Sequence, residues 1–256
     1  MGYVLITGAS EGIGKAIALR AAQNDRNMIL AARSEDKLNA LADEIKAKGL
    51  EAHVILSDLN EDGAAAKLWE QASAIGQIDV LVNNAGLGIN GPFGDVDAER
   101  EDATMQVNMI ALTQLMRLAV RDMKAAGKGR ILNVASTAAF LPGPHMSVYH
   151  ASKSYVLSLS EAVAQELSGT DVSVTALCPG PTRTEFFDEA DMNETRFIKA
   201  DQMMSAKEVA DQGWVGMNMG QRIVVPGAMN KISAFLPRIL PRSLITWITA
   251  QLYKRT

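Results

Sequence analysis

A short apolar run, Tyr3-Val4-Leu5-Ile6, passes directly into Thr7-Gly8-Ala9-Ser10-Glu11-Gly12-Ile13-Gly14 and then into the helix-favouring Lys15-Ala16-Ile17-Ala18-Leu19-Arg20. Strand, glycine turn and helix in that order restrict the architecture, because the turn must fold the helix back onto the strand within a few residues. Glycine suits such a turn: it reaches positive φ, leaves backbone bare for close approach, and lets the helix pack tightly on the strand. The helix N-terminus then presents unpaired N–H groups to an anion. Gly8, Ser10, Gly12, Ile13 and Gly14 are therefore the candidate positions for a dinucleotide pyrophosphate, with a plain tight turn as the alternative.

The rest of the chain repeats this strand-and-helix alternation. Strands are predicted at residues 3–7, 28–32, 52–56, 79–83, 130–135, 172–177 and 222–225, with helical stretches between most of them. Apolar spacings such as Leu38, Leu41, Ile45 and Leu112, Leu115, Met116, Ala119 read as core-packing helix faces. The expected fold is α/β: one Rossmann-type doubly wound parallel sheet of about seven strands with helices on both faces. A chain of 256 residues suits one such domain, taken as residues 1–227, followed by an extension, 228–256.

Composition mainly excludes. Hydrophobic residues at 48%, charged residues at 21% and a net charge of −4 give no basic excess for nucleic acid. The first strand begins at Tyr3, leaving no room for a basic and then apolar leader, and no apolar run approaches the roughly 20 residues needed to span a bilayer. A cytoplasmic protein is expected. Met1-Gly2 would invite myristoylation, but Ile6 stands where Ser or Thr is required. Cys178 is the single cysteine, so no internal disulfide can form, and its place at the end of an apolar strand favours a small core residue. No metal site is assigned.

Chemistry concentrates in Tyr149-His150-Ala151-Ser152-Lys153. A tyrosine hydroxyl titrates near 10 and is a poor proton carrier at neutral pH unless its phenolate is stabilised. On a helix, positions i and i+4 share a face with Cβ atoms about 6 Å apart, so the Lys153 ammonium can favour ionisation of Tyr149. Alone, the pair would be an ordinary surface pair. Its company differs: Ser136 lies upstream after Ile131-Leu132-Asn133-Val134, Asn108 before that, Asn83-Asn84-Ala85-Gly86 after Asp79-Val80-Leu81-Val82, and Pro179-Gly180 after Val172-Ser173-Val174-Thr175-Ala176-Leu177.

Together with the glycine turn, these motifs make the chain resemble the classical short-chain dehydrogenase/reductases over about residues 3–227. The resemblance implies an oxidoreductase interconverting a carbonyl and an alcohol by hydride transfer, with Tyr149 as general acid/base. Lys153 would lower the Tyr149 pKa and hold the nicotinamide ribose, Ser136 would position and polarise the carbonyl oxygen, and Asn108 would distort its helix and anchor a water linking Lys153 to solvent. Asn84, Ala85, Gly86, Pro179, Gly180, Thr182 and Thr184 fall at cofactor-lining positions, and Asp58 and Leu59 at the adenine, although Asp58 equally suits a helix N-terminal acid. His145 and His150, which flank the tyrosine, are read as structural or pocket-lining.

Ala32 stands where NAD-preferring relatives usually carry an acid. Arg33 and Ser34 follow it and suit a 2′-phosphate through charge-assisted hydrogen bonds, or Arg33 is a solvated loop charge. NADP(H) is therefore expected, with NAD(H) as the alternative, and Glu11 is the complication because a carboxylate in the turn opposes a phosphate. A hydrophobic small-molecule carbonyl or alcohol is the expected substrate, walled by Leu87, Phe93, Phe140, Met146, Phe186 and Phe187, with Ile89, Leu141 and Met192 as further candidates. Residues 185–205 are too long and irregular for a simple connection and are expected to act as a lid. The extension carries Lys231, Arg238, Arg242, Lys254 and Arg255 and no acid, a net +5 against −9 for the remainder. Residues 243–254 could form a helix capped by Ser243 with Leu244, Trp247, Ile248 and Leu252 on one face. Packing on the domain, a subunit interface in a homodimer or homotetramer, and contact with an anionic membrane surface are its three readings, the first two favoured. A catalytically silent NADP(H)-binding regulatory protein of the same fold is the alternative function.

Overall fold

The computed structural model describes residues 2–192 and 203–254. Seven parallel strands form one sheet: β1 (Tyr3–Thr7), β2 (Met28–Ala32), β3 (Ala52–Leu56), β4 (Ile78–Asn83), β5 (Gly129–Val134), β6 (Val172–Leu177) and β9 (Ile223–Val224). Their order is β3-β2-β1-β4-β5-β6-β9, so the chain winds outward from β1 in one direction and from β4 in the other. The crevice between the two halves opens at the carboxyl ends of β1 and β4, where a ligand site is expected in such sheets. The doubly wound fold read from the sequence is the one observed, each strand within a residue or so of its expected limits.

Both faces of the sheet are covered, and strand alternation decides which side chain goes where. Val4 and Ile6 of β1 join the core under α1 (Gly12–Ala22), α2 (Glu35–Lys46) and α8 (Ala206–Asn218), whereas Leu5 joins the core under α3 (Ala64–Ile75) and α5 (Leu112–Ala126). All three are fully buried. The remaining long crossover helix, α6 (Ser147–Glu166), packs beside β6 and brings Tyr149 and Lys153 to the crevice. Cys178 is buried and burial pushes its thiol up to about 12, as suits a core residue.

Three departures bear on function. The helix preceding α5 begins as α4 (Ala98–Met105) and widens into a π-helical stretch, Gln106–Ala111, around Asn108. The segment after β6 is not one loop: β7 (Thr182–Arg183) pairs in parallel with β8 (Met204–Ser205), α7 (Phe186–Glu189) lies between them, and residues 193–202 of the expected lid fall outside the described residues. In the extension, α9 (Ala228–Phe235) and α10 (Arg242–Tyr253) are both helical. The face of α10 that packs is Ile245, Thr249 and Tyr253, and the expected stripe of Leu244, Trp247, Ile248 and Leu252 is turned to solvent. Ser243 lies inside the helix, with Pro241 at the cap position. Tyr253 sets this rotation by seating against Met146, Ala190 and Met192. No described helix is long and apolar enough to cross a membrane.

Candidate active site

The glycine turn is held by the strand next to it. Thr7 Oγ1 accepts from the backbone N–H groups of Asn84 and Ala85, both at 3.0 Å, and Asn84 Nδ2 donates to the carbonyls of Thr7 and Gly8, both at 3.0 Å. Gly8 and Gly12 lie at φ +62° and +54°, and a Cβ on Gly8 would come within 2.8 Å of Asn84 Nδ2. A Cβ on Gly14 would run into the Gly8 carbonyl, so the helix can approach the turn only without a side chain there. The result is a bare backbone cradle at the N-terminus of α1, a fit for a pyrophosphate.

A cavity of about 320 Å³ runs from this cradle to α6. At one end it is lined by Gly8, Ser10, Gly12, Ile13, Arg33, Ser34, Asp58 and Leu59. Its middle is lined by Asn84, Ala85, Gly86, Pro179, Gly180, Thr182 and Thr184, and its far end by Ser136, Tyr149, Lys153, Leu87, Met146, Phe186 and Phe187. Gly14 and Asn108 support the cavity from behind. Asp58 Oδ1 accepts from the backbone N–H of Asn60 at 3.0 Å, a local turn contact.

Two expected wall residues are not in the wall. Phe93 is 74% exposed on the loop after β4, and Phe140 ends a 3₁₀ turn, Thr137–Phe140, that carries its ring against the separate core around Ala135 and Val156. Of the further candidates, Met192 lines the cavity, whereas Ile89 is buried outside it and Leu141 turns its carbonyl to His150.

At the far end α6 presents Tyr149 and Lys153 one turn apart, and Ser136 arrives from the end of β5. Ser136 Oγ accepts from the Ala138 N–H at 3.1 Å and donates to the Pro179 carbonyl at 3.5 Å, and its hydroxyl is close enough to Tyr149 to act on the phenol. Lys153 is buried, and its Nζ donates to the Val134 carbonyl at 2.9 Å. A Cβ at position 86 would come within 3.2 Å of that Nζ, so Gly86 leaves the ammonium its space. Asn108 is buried and fully used. Its Oδ1 accepts from Leu87 N–H at 2.8 Å, and its Nδ2 donates to the Leu87 carbonyl and to Ser152 Oγ, each at 2.9 Å. The π-helical widening is the backbone distortion that lets a side chain mid-helix reach a neighbouring loop.

The electrostatics differ from the simple phenolate picture. Burial pushes Tyr149 up to about 12, and the opposing pull comes from the neighbouring Ser136 hydroxyl. Burial likewise drives Lys153 down to about 8, with its Nζ 5.7 Å from the Tyr149 ring centroid. Desolvation is the larger influence on Tyr149, and Lys153 is not among the groups that oppose it. His150 is buried, its Nδ1–H donating to the Leu141 carbonyl at 2.9 Å, and burial lowers its pKa. It is a neutral structural residue outside the cavity lining.

The sequence reading missed Lys37, Glu185 and Tyr253 as lining residues. Lys37 Nζ reaches Glu11 Oε2 at 2.5 Å and Glu185 Oε2 at 2.9 Å, bridging the glycine turn, α2 and the start of α7 across the cavity mouth. The two carboxylates raise the Lys37 pKa. The Glu11 charge is therefore answered within the protein, and Arg33 makes no ion pair among the described residues. Tyr253 comes from the last turn of α10, stacks edge-on against His150 with ring centroids 5.3 Å apart, and is held by Asn90 Nδ2 donating to its carbonyl at 3.2 Å.

Comparison with known proteins agrees with this geometry. Over 178 residues the chain is 38% identical to the ketoacyl reductase HetN of a Nostoc species, covering 69% of this chain and 62% of that protein. It is 37% identical over 182 residues to the oxidoreductase YvrD of Bacillus subtilis, covering 71% and 69% respectively. Among solved structures, a short-chain dehydrogenase from Sphingobium yanoikuyae in complex with NADPH superposes with a TM-score of 0.83 at 29% identity, covering 95% of this chain and 98% of that one. A 7β-hydroxysteroid dehydrogenase superposes with a TM-score of 0.87 at 27% identity, covering 96% of each. The family model for short chain dehydrogenases matches residues 2–195. With the glycine cradle, the topological switch point and the Ser136, Tyr149 and Lys153 cluster in one cavity, the chain belongs to the short-chain dehydrogenase family.

Proposed function

We propose that the protein is an NADP(H)-dependent oxidoreductase that interconverts a bulky hydrophobic ketone or aldehyde and its alcohol, with Tyr149 as the general acid and base. The observation that carries the reading is one continuous cavity, with the glycine cradle at one end and Ser136, Tyr149 and Lys153 together at the other. A bound nicotinamide supplies hydride in reduction and accepts it in oxidation. Everything else falls to the chain. Ser136 and Tyr149, which line the same end of the cavity, present two hydroxyls to a single carbonyl oxygen and fix its position. As negative charge develops on that oxygen, Tyr149 gives up its proton to it. A phenol held at about 12 keeps that proton at neutral pH, which suits the reductive direction. The Lys153 ammonium then balances the phenolate, and Asn108 fixes the Leu87 loop and Ser152 around the pair.

Cofactor preference rests on Arg33 and Ser34 at the mouth, with Ala32 in place of an acid and Glu11 neutralised by Lys37. The Sphingobium relative binds NADPH and a Burkholderia phymatum relative binds NAD, so the fold itself accommodates either. Met146, Phe186, Phe187, Met192 and Tyr253 make the substrate end apolar. Neighbours of similar fold include the 7β-hydroxysteroid dehydrogenase and an alcohol dehydrogenase of Comamonas testosteroni specific for bulky-bulky ketones.

Oxidation of NADPH and NADH against aldehydes, diaryl and steroidal ketones and 3-ketoacyl thioesters tests the proposal. Turnover with a bulky ketone, lost by at least 100-fold in Tyr149→Phe and shifted toward NADH in Arg33→Ala, is the expected result. Dinucleotide binding without turnover of any carbonyl would instead identify a silent binding protein, and equal specificity constants for the two cofactors would refute the NADP(H) preference.

A further inference from the structure

We infer that the C-terminal segment docks this protein on an anionic lipid surface, lying on the bilayer without crossing it. From residue 228 onward the chain carries five cations, Lys231, Arg238, Arg242, Lys254 and Arg255, and no carboxylate, while the remainder carries a net −9. Lys231, Arg238, Arg242 and Lys254 are all exposed and form no ion pair among the described residues. Among them stand large apolar side chains: Phe235 is 54% exposed, Ile239 63% and Trp247 62%. On α10 the division is sharp. Ile245, Thr249 and Tyr253 pack inward, and Leu244, Trp247, Ile248 and Leu252 face out. The inward face already satisfies the packing on this domain, so the outward face needs another apolar phase.

Charge selects that phase. A pairing of two copies segment against segment would set these cations against themselves, with no acid in the segment to neutralise them. Anionic headgroups neutralise them, while the acyl boundary takes up the aromatic and aliphatic side chains. The negative remainder is repelled by the same surface, which fixes the orientation with the segment downward. α10 is too short to span, so it lies in the interface. Because the other face of α10 carries Tyr253 into the cavity, docking would place the substrate end close to the lipid.

The full-length protein, free of added substrate or cofactor, is mixed with vesicles of phosphatidylcholine containing phosphatidylglycerol, or of phosphatidylcholine alone. Of the three tryptophans, Trp69 and Trp214 are buried, so Trp247 alone reports contact. Expected are sedimentation with the anionic vesicles, weakened by salt, and quenching of Trp247 by brominated lipid. Arg238→Glu with Arg242→Glu should reduce partitioning more than roughly tenfold, and Phe235→Ser with Trp247→Ser should reduce it while leaving far-ultraviolet circular dichroism unchanged. Failure to bind anionic vesicles at low salt overturns the inference. So does a lipid-indifferent dimer in sedimentation equilibrium that Trp247→Ser dissociates, which would show a second copy covering this face. Neither readout requires turnover, so this result and that of the carbonyl assay stand apart.

Discussion

Lys153→Met turns the burial of the catalytic-end lysine into a measurable pH dependence of stability. Burial drives Lys153 from 10.5 in an unfolded chain down to about 8 in the folded one. Below pH 8 the ammonium is charged in both states and the folded state bears the full desolvation penalty. Between 8 and 10.5 the unfolded chain binds more protons than the folded one, so this group makes stability rise with pH. Integrating the linkage relation between pH 7 and pH 10 gives about 2.5 kcal/mol. Tyr149 contributes in the opposite sense, since a raised phenol pKa favours the folded state until pH passes 10, but its window, 10 to about 12, lies above this range. Denaturant unfolding of wild type and Lys153→Met, extrapolated to water at pH 7, 8, 9 and 10, isolates the lysine because every other titrating group is common to both. The wild type should gain about 2.5 kcal/mol on the variant from pH 7 to pH 10, and the variant should have no turnover. Stability curves that run parallel within 0.5 kcal/mol would mean that Lys153 is solvated in the folded protein, and the account of its burial would fail.

Gly14→Ala should cost several kcal/mol by thermal unfolding and abolish dinucleotide binding, because its Cβ collides with the Gly8 carbonyl. Asn108→Ala strips partners from both the N–H and the carbonyl of Leu87 and from Ser152; a loss of about 3 kcal/mol is expected, and an unchanged melting temperature would show that the π-helical stretch does not depend on that side chain. Lys37→Ala leaves Glu11 and Glu185 uncompensated at the cofactor mouth and should weaken NADPH binding about two- to fivefold with little effect on NADH, an exposed-pair magnitude that added salt should shrink. Tyr253→Ala opens the substrate end and should raise KM for bulky ketones more than for small aldehydes, whereas an equal change for both would place Tyr253 outside substrate contact.

What the sequence disclosed was local in origin. A strand that must alternate Val4 and Ile6 against Leu5, and a turn that must be bare at 8, 12 and 14, leave their mark within a dozen residues. The i, i+4 placement of Tyr149 and Lys153 is equally local. Convergence of distant segments leaves no such mark. Lys37 follows Arg33 on α2 as an ordinary exposed helix charge and becomes a cavity residue only because Glu11 and Glu185 fold to it. Phe93 and Phe140 sit close in sequence to true wall residues, Leu87 and Met146, yet side-chain direction sends one to solvent and the other to a different core. The C-terminal helix makes the same point more sharply. Its most apolar stripe, Leu244, Trp247, Ile248 and Leu252, is the natural packing face by composition, but α10 is turned so that Tyr253 is buried beside Met146 and Met192. That orientation commits the more hydrophobic face to the outside. A helix that spends its best apolar side chains on solvent, within a segment of uniform positive charge, has an unmet burial requirement that this domain does not supply.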